Sequence, residues 1–120
     1  MIRRALVCAL LAVLPLALSG CEMMQHISEG AYRNAVADGT IAELDEIGVR
    51  MDRRPDCTMP ETGSESIVRV HCTGRTVTGA RVVVTGDATA ADTARPRESY
   101  TVTVNGHHLV RKDCLGRGCR

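Results

Sequence analysis

Aromatic side chains are nearly missing from this sequence. It contains no phenylalanine and no tryptophan, and Tyr32 and Tyr100 are its only aromatic residues. Because aromatic rings supply much of the buried area in other proteins, a core here must be built from valine, isoleucine, leucine and alanine. A small domain with such a core often needs covalent cross-links. The cysteines are therefore the residues expected to stabilise the fold.

Recognisable catalytic motifs are missing as well. No serine lies in a Gly-x-Ser-x-Gly elbow, no glycine-rich phosphate loop follows a predicted strand, and no Cys-x-x-Cys pair occurs. Asp45 and Glu46 follow Glu43 on a predicted helix, where a solvated face is a better interpretation than a general acid and base. We therefore expect a protein that is not an enzyme, has no catalytic residues and uses no cofactor.

The histidines and cysteines lack the spacing of a zinc site. There is neither a Cys-x-x-Cys nor a His-x-x-x-His pair, which zinc fingers and ribbons use. His107 and His108 are adjacent on a predicted strand and would point to opposite faces of a sheet. The sequence thus predicts no metal site. Metal handling through these two histidines, His71 and reduced cysteines is kept as an alternative hypothesis.

No excess of one charge marks the chain. Its net charge is +1, and fourteen of its fifteen basic residues are arginines, with Lys112 as the single lysine. A nearly neutral chain lacks the basic footprint of nucleic-acid binding, so we expect no nucleic-acid partner. The preference for arginine, with abundant alanine, valine, glycine and threonine, is typical of GC-rich bacterial genomes and favours an actinobacterial source.

An export signal occupies the start of the chain. Residues 1–4 carry two arginines and no acid, and residues 5–18 form an apolar run that contains one proline. The run is shorter than the roughly 20 residues that a membrane-spanning helix needs. The pattern therefore favours a cleaved signal peptide over a permanent transmembrane helix.

The junction Leu18-Ser19-Gly20-Cys21 resembles the lipobox of bacterial lipoproteins. The resemblance implies a diacylglyceryl group on the Cys21 sulfur, cleavage between Gly20 and Cys21, and attachment to the extracytoplasmic side of the cell membrane. Two acyl chains suffice for stable anchoring. The alternative is an ordinary secretory peptide, in which Cys21 is free or disulfide-bonded.

Cleavage at this position defines three segments. Residues 1–20 would be the signal peptide, 21–27 the lipidated anchor with a short tether, and 28–120 a single domain. Loss of Arg3 and Arg4 would lower the basic residues from 15 to 13, against 14 acidic residues. The mature chain would thus carry a slight negative charge and stand close to the lipid headgroups.

Four cysteines remain once Cys8 has left with the leader and Cys21 is lipidated. In an exported chain these are expected to form disulfides, and four cysteines allow three pairings. The favoured pairing joins neighbours in sequence, and its rival joins Cys57 to Cys114 and Cys72 to Cys119. One argument opposes the local pairing, since a simple hairpin would separate the first two cysteines by about 20 Å. The favoured bonds are Cys57–Cys72 and Cys114–Cys119.

The region that follows the tether is predicted to be helical. Ser28 can cap a helix that stops at Gly39. Thr40 and Glu43 form the Thr-x-x-Glu pattern of a capping box, which would start a second short helix that ends at Gly48. The two pieces also fit one kinked helix.

From Gly48 onward, the hydrophobic period changes to that of strands. The pair Asn105-Gly106, between two alternating runs, predicts a tight hairpin. Residues 87–97 lack any period and are predicted to form a loop. The fold class is α+β, a helix packed on a disulfide-stapled antiparallel meander of four to five strands. The predicted strands are 49–52, 66–73, 76–85, 99–104 and 107–111.

Residues 48–86 resemble small actinobacterial lipoprotein domains of unknown function, through a cysteine, a loop, a strand with Cys-Thr-Gly and a valine-rich strand. The resemblance implies a compartment and a fold class. We expect a non-enzymatic binding or structural role in the cell envelope, with an envelope protein or glycan as partner. A further alternative is inhibition of an envelope enzyme through the 87–97 loop or the Asn105-Gly106 hairpin.

Overall fold

One helix and one antiparallel sheet make up the part of the chain that the structure describes. The computed structural model describes residues 20–116 and Cys119, with side chains from Glu29 onward. The strands follow one another in the sheet in chain order, so the topology is a meander. The predicted α+β class is thus confirmed. The elements are α1 (Gly20–Glu46), β1 (Asp56–Thr58), β2 (Ile67–Arg75), β3 (Arg81–Thr89), β4 (Arg97–Val104) and β5 (His107–Lys112).

The helix is continuous, so the predicted break at Gly39 is wrong. No capping box forms, because the Thr40 hydroxyl donates a hydrogen bond to the Val36 carbonyl of the preceding turn at 2.8 Å. Gly39 is buried inside the helix and lies against Leu115. Gly20, eight residues before the predicted cap at Ser28, is already helical.

The predicted end of the helix at Gly48 is confirmed. Gly48 has a φ of 80°, the left-handed conformation that glycine adopts without steric cost. The amide of Val49 donates to the Leu44 carbonyl at 2.8 Å, and the amide of Gly48 donates to Asp45 at 3.1 Å. These two bonds form a Schellman motif, which satisfies the last carbonyl groups of the helix.

Several strand boundaries differ from the prediction, since β2 ends at Arg75 instead of Thr73 and β4 begins at Arg97 instead of Ser99. Residues 49–52 form no strand, since only Met51 makes an isolated bridge, to Thr76, and the first strand lies further on at β1. The third strand begins at Arg81 instead of Thr76. The intervening residues form a turn, in which the Thr76 amide donates to the Ala80 carbonyl at 2.9 Å. Positive φ at Gly79, 86°, permits this turn.

The Asn105-Gly106 hairpin forms as predicted. Both residues have positive φ, 49° and 81°, and they connect β4 to β5. The Asn105 side chain also accepts a hydrogen bond from the Arg81 amide at 2.9 Å, which joins the hairpin to β3. The predicted loop is shorter than expected, because β3 continues to Thr89 and leaves only residues 90–96 between the strands.

The core lies between the helix and one face of the sheet. Val36 and Leu44 project from α1 onto alternate residues of the strands, which are buried as the period-2 pattern predicts. The opposite face carries arginine, threonine and histidine side chains. The buried sheet residues are Val70, Cys72, Val82, Val84, Ala88, Tyr100, Val102 and Val110.

Candidate functional site

The disulfide Cys57–Cys72 joins the first two strands. The two residues are direct partners in the antiparallel register, with Cα atoms 4.0 Å apart. The predicted separation of about 20 Å assumed a first strand at 49–52, with Cys57 in the loop that follows it. Because β1 instead begins at Asp56, Cys57 lies directly beside the middle of β2. The favoured local pairing is therefore confirmed.

The disulfide Cys114–Cys119 also forms as favoured, with Cα atoms 5.6 Å apart. The loop it closes is attached to the helix by Glu43, which is only 5% exposed. The Glu43 carboxylate accepts hydrogen bonds from the Lys112 ammonium at 3.0 and 3.1 Å and from the Gly116 amide at 3.3 Å. The single lysine of the chain thus has a structural role that the sequence did not reveal.

The lipobox falls only partly within the described residues. Gly20 and Cys21 are helical residues of α1, and the residues before them, with the rest of the predicted leader, lie outside the described range. Between Gly20 and Gly116, no helix combines the length and the apolar character that crossing a membrane requires.

The histidines proposed for metal handling do not come together. His71 lies on β2, whereas His107 and His108 lie on β5, and all three are exposed. Two strands separate β2 from β5, which places them about 14 Å apart. The described residues contain no group of three histidine, cysteine or acidic side chains able to hold an ion. Cys72, next to His71, is engaged in a disulfide.

The two tyrosines meet between helix and sheet, although 68 positions separate them. Their hydroxyl oxygens are 2.6 Å apart. The Tyr100 hydroxyl also lies 3.3 Å from a carboxylate oxygen of Glu98, to which it can donate, and either tyrosine can donate the shorter bond. The result is a hydrogen-bonded chain from helix to β4 that ends on a carboxylate.

The surroundings of the two tyrosines disfavour their ionised forms. Burial raises the pKa of Tyr100, and the Tyr32 hydrogen bond and the nearby Glu98 charge raise it further. Burial also raises the pKa of Tyr32, although its bond to Tyr100 acts in the opposite direction. A general base needs a pKa near the working pH. The tyrosines are therefore suited to holding the helix on the sheet, and not to proton transfer.

Among the clefts on the surface of the described domain, one lies at each end of β2. The larger, of about 740 Å³, lies beside Tyr32 and Glu98 and is bordered by the 59–65 segment and part of the 90–96 loop. The smaller, of about 420 Å³, lies at the other end of the strands, where β2 and β3 meet. Its lining residues are Asp52, Arg53, Arg54, Asp56, Thr73, Gly74, Arg75 and Arg81. We call the smaller one the arginine cleft.

No protein-family model matches this chain, and neither a curated protein nor a solved structure shows significant similarity to it. The functional argument therefore depends on the sequence motif at Cys21 and on the geometry of the domain.

Proposed function

We propose that this protein is a lipoprotein of the bacterial cell envelope, anchored to the extracytoplasmic side of the cell membrane through a diacylglyceryl group on Cys21. The observation that carries the proposal is the sequence Leu18-Ser19-Gly20-Cys21 directly after an arginine-led apolar run. Cleavage between Gly20 and Cys21 releases the leader. The folded domain then acts by binding an envelope component, without catalysis.

The cysteine chemistry of the domain supports an extracytoplasmic location. All four cysteines that follow Cys21 are paired in two disulfides. Disulfides persist in oxidising compartments and are rare in the cytosol. A chain with these two bonds is therefore compatible with export, and once Cys8 has left with the leader, Cys21 is the one thiol for lipid attachment.

The arrangement of polar groups supports a binding role over catalysis. The buried carboxylate of Glu43 is occupied by Lys112 and by the Gly116 amide, and burial raises the pKa of both tyrosines. None of these groups combines an exposed position with an activated proton acceptor. The exposed clefts are the parts of the domain that remain open to a partner.

Radiolabelled palmitate incorporation tests the anchor. Wild-type protein and the variants Cys21→Ala and Cys8→Ala are expressed in a bacterial host with lipoprotein processing. We expect label in the wild type and in Cys8→Ala, because Cys8 lies in the leader, and none in Cys21→Ala. Equal label in wild type and Cys21→Ala would overturn the proposal.

A further inference from the structure

Two arginines face each other across neighbouring strands. Arg75 and Arg81 are direct partners in the β2–β3 register, at the end of both strands. Both are exposed and lie on the face of the sheet opposite the core. Like charges at directly opposed positions destabilise a sheet. The fold therefore carries a local electrostatic cost at this position.

The same two strands show the complementary arrangement elsewhere. Arg69 is the register partner of Asp87 on the same face, and their side chains form an ion pair at 3.3 Å. The position opposite an arginine can thus hold an aspartate in this sheet. Side-chain pairs that destabilise a fold locally, such as like charges at opposed strand positions, are expected at functional sites. Arg75 and Arg81 form such a pair.

The charges of the pair are not neutralised by the fold. Arg75 donates to the Gly79 carbonyl at 3.0 Å, which is an uncharged acceptor. Within the described part of the chain, the Arg81 guanidinium has no hydrogen-bond or ion-pair partner. Both guanidinium groups therefore keep donors available for a ligand.

The rest of the arginine cleft adds further donors. Arg53 is 82% exposed, and its nearest carboxylate, Asp52, is 3.8 Å away. Arg54 instead binds the helix, through Asp38 and the Asn34 carbonyl at 3.0 Å each, which fixes the 52–56 segment against α1. Although Asp52 and Asp56 also line the cleft, the four arginines outnumber them.

The lining favours a glycan over a protein. Protein–protein interfaces depend on a few buried aromatic or apolar anchors. Every residue that lines the arginine cleft is charged, threonine or glycine. Guanidinium forks match the geometry of carboxylate and phosphate groups. A repeating polyanion can also combine several such weak contacts through multivalency.

The cleft lies at the end of the sheet remote from the start of the helix. Glu29 and Tyr32, near that start, border the larger cleft beside Ile67, where β2 begins. Arg75 ends the same strand, eight residues or about 26 Å further along. The two clefts therefore lie at opposite ends of β2.

We propose that the arginine cleft binds a polyanionic glycan of the cell envelope, whose carboxylate or phosphate groups bridge Arg75 and Arg81. The envelope source of the glycan rests on the proposed function, whereas the site itself does not. The bound oxyanion neutralises the opposed pair, so ligand binding removes the repulsion that the free sheet carries. Binding is electrostatic and weakens as salt screens the charges.

The test measures binding of fluorescently labelled polymers to the full chain, purified in detergent, at low ionic strength. The polymers are polygalacturonate, phosphomannan, neutral dextran and poly-L-glutamate. We expect binding to polygalacturonate or phosphomannan and none to dextran, and the tighter of the two identifies the oxyanion. The double variant Arg75→Gln/Arg81→Gln should bind at least about tenfold more weakly.

The variant Arg111→Gln is the matched control. Like each of the single variants Arg75→Gln and Arg81→Gln, which should both weaken binding, it removes one positive charge, but from an exposed strand position outside both clefts, and it should bind like the wild type. The variant Arg81→Lys keeps the charge without the planar fork and should show an intermediate loss. Thermal unfolding checks that the double variant is folded, and relief of the repulsion should leave its midpoint unchanged or higher.

Three results would overturn the proposal: no binding of either anionic glycan, an equal loss in Arg111→Gln, or tighter binding of poly-L-glutamate, which would indicate an acidic protein partner. The result is independent of palmitate labelling. An unlabelled protein that binds the glycan refutes only the anchor, and a labelled protein that binds none refutes only this site.

Discussion

The ring of Tyr100 lies where a glycine faces it across the sheet. Gly86 is the register partner of Tyr100, and a methyl group at position 86 would approach within 2.6 Å of the ring and of Val70. The missing side chain therefore makes room for the aromatic ring. Tyr32 then completes the contact from the helix, with its hydroxyl 2.6 Å from that of Tyr100.

The tyrosine pair predicts a loss of stability at alkaline pH. Burial raises the pKa of both tyrosines above the ordinary value of 10.0, so the folded protein keeps protons that the unfolded chain releases. This contribution is complete below pH 10.0 and declines as the pH rises above it. We expect the free energy of unfolding, measured by urea titration, to fall more steeply there than in Tyr32→Phe/Tyr100→Phe.

Tyr32→Phe/Tyr100→Phe lacks both hydroxyl groups, and the free energy of unfolding of each protein is compared with its own value at neutral pH. Loss of the hydroxyl bond lowers the variant's stability at all pH values, but only the slope above pH 10.0 reports tyrosine ionisation. Identical slopes in wild type and variant would show that the tyrosines do not retain their protons.

For individual residues, the sequence shows which side chains are present but not which of them touch in the fold. It identified Tyr32 and Tyr100 as the only aromatic residues, yet nothing in a local pattern brings positions 68 apart together. The same holds for Glu43 and Lys112, whose ion pair joins helix to β5. Such pairs depend on the path of the whole chain.

Gly39 lies inside the continuous helix, although glycine at such a position commonly marks the end of a helix. A methyl group at Gly39 would lie 2.9 Å from Leu115 Cβ and 3.2 Å from the Leu115 carbonyl carbon. The C-terminal loop, closed by Cys114–Cys119, thus contacts the helix where the side chain is missing. Glycine at this position permits close packing and does not end the helix.

Alanine substitutions at two helical glycines should have opposite effects. Gly39→Ala should destabilise the fold by about 1–3 kcal/mol, since the Leu115 backbone must move. Gly30→Ala meets no atom within 4 Å and should stabilise by about 0.5–1 kcal/mol through helix propensity. Chemical denaturation measures both changes. Stabilisation by Gly39→Ala would contradict the contact with Leu115.

Alternation of apolar and polar residues identifies the long strands of the sheet but not the short one. The long runs around Val70, Val84 and Val102 form strands where the sequence predicts them, because alternate side chains of each run pack on the helix. The short strand β1 has only three residues and no period of its own. Pairing with β2 and the cross-strand disulfide determine the position of β1. Local alternation cannot show this, and it predicted the first strand at 49–52 instead.

The two disulfides should contribute unequally to the stability of the whole molecule. Cys57–Cys72 closes 15 residues, and Cys114–Cys119 closes five. The chain-entropy model gives about 3 kcal/mol for the first loop and about 2 kcal/mol for the second. We expect Cys57→Ala/Cys72→Ala to lower the thermal midpoint more than Cys114→Ala/Cys119→Ala.

Burial strengthens this expectation. Cys72 is fully buried and belongs to the core, so its replacement also leaves a cavity. Calorimetry of both double variants against the wild type measures the difference. A larger loss in the C-terminal variant would show that the attachment of the loop to Glu43 matters more than the bond inside the sheet.

The central claim, a cleaved and lipidated chain with an oxidised domain, is tested most directly by intact-mass spectrometry of protein extracted from membranes after treatment with a thiol-alkylating reagent. The account predicts a chain that begins at Cys21, carries a diacylglyceryl group and takes up no alkyl group. A mass that retains residues 1–20, or an unlipidated Cys21 that is alkylated, would contradict it.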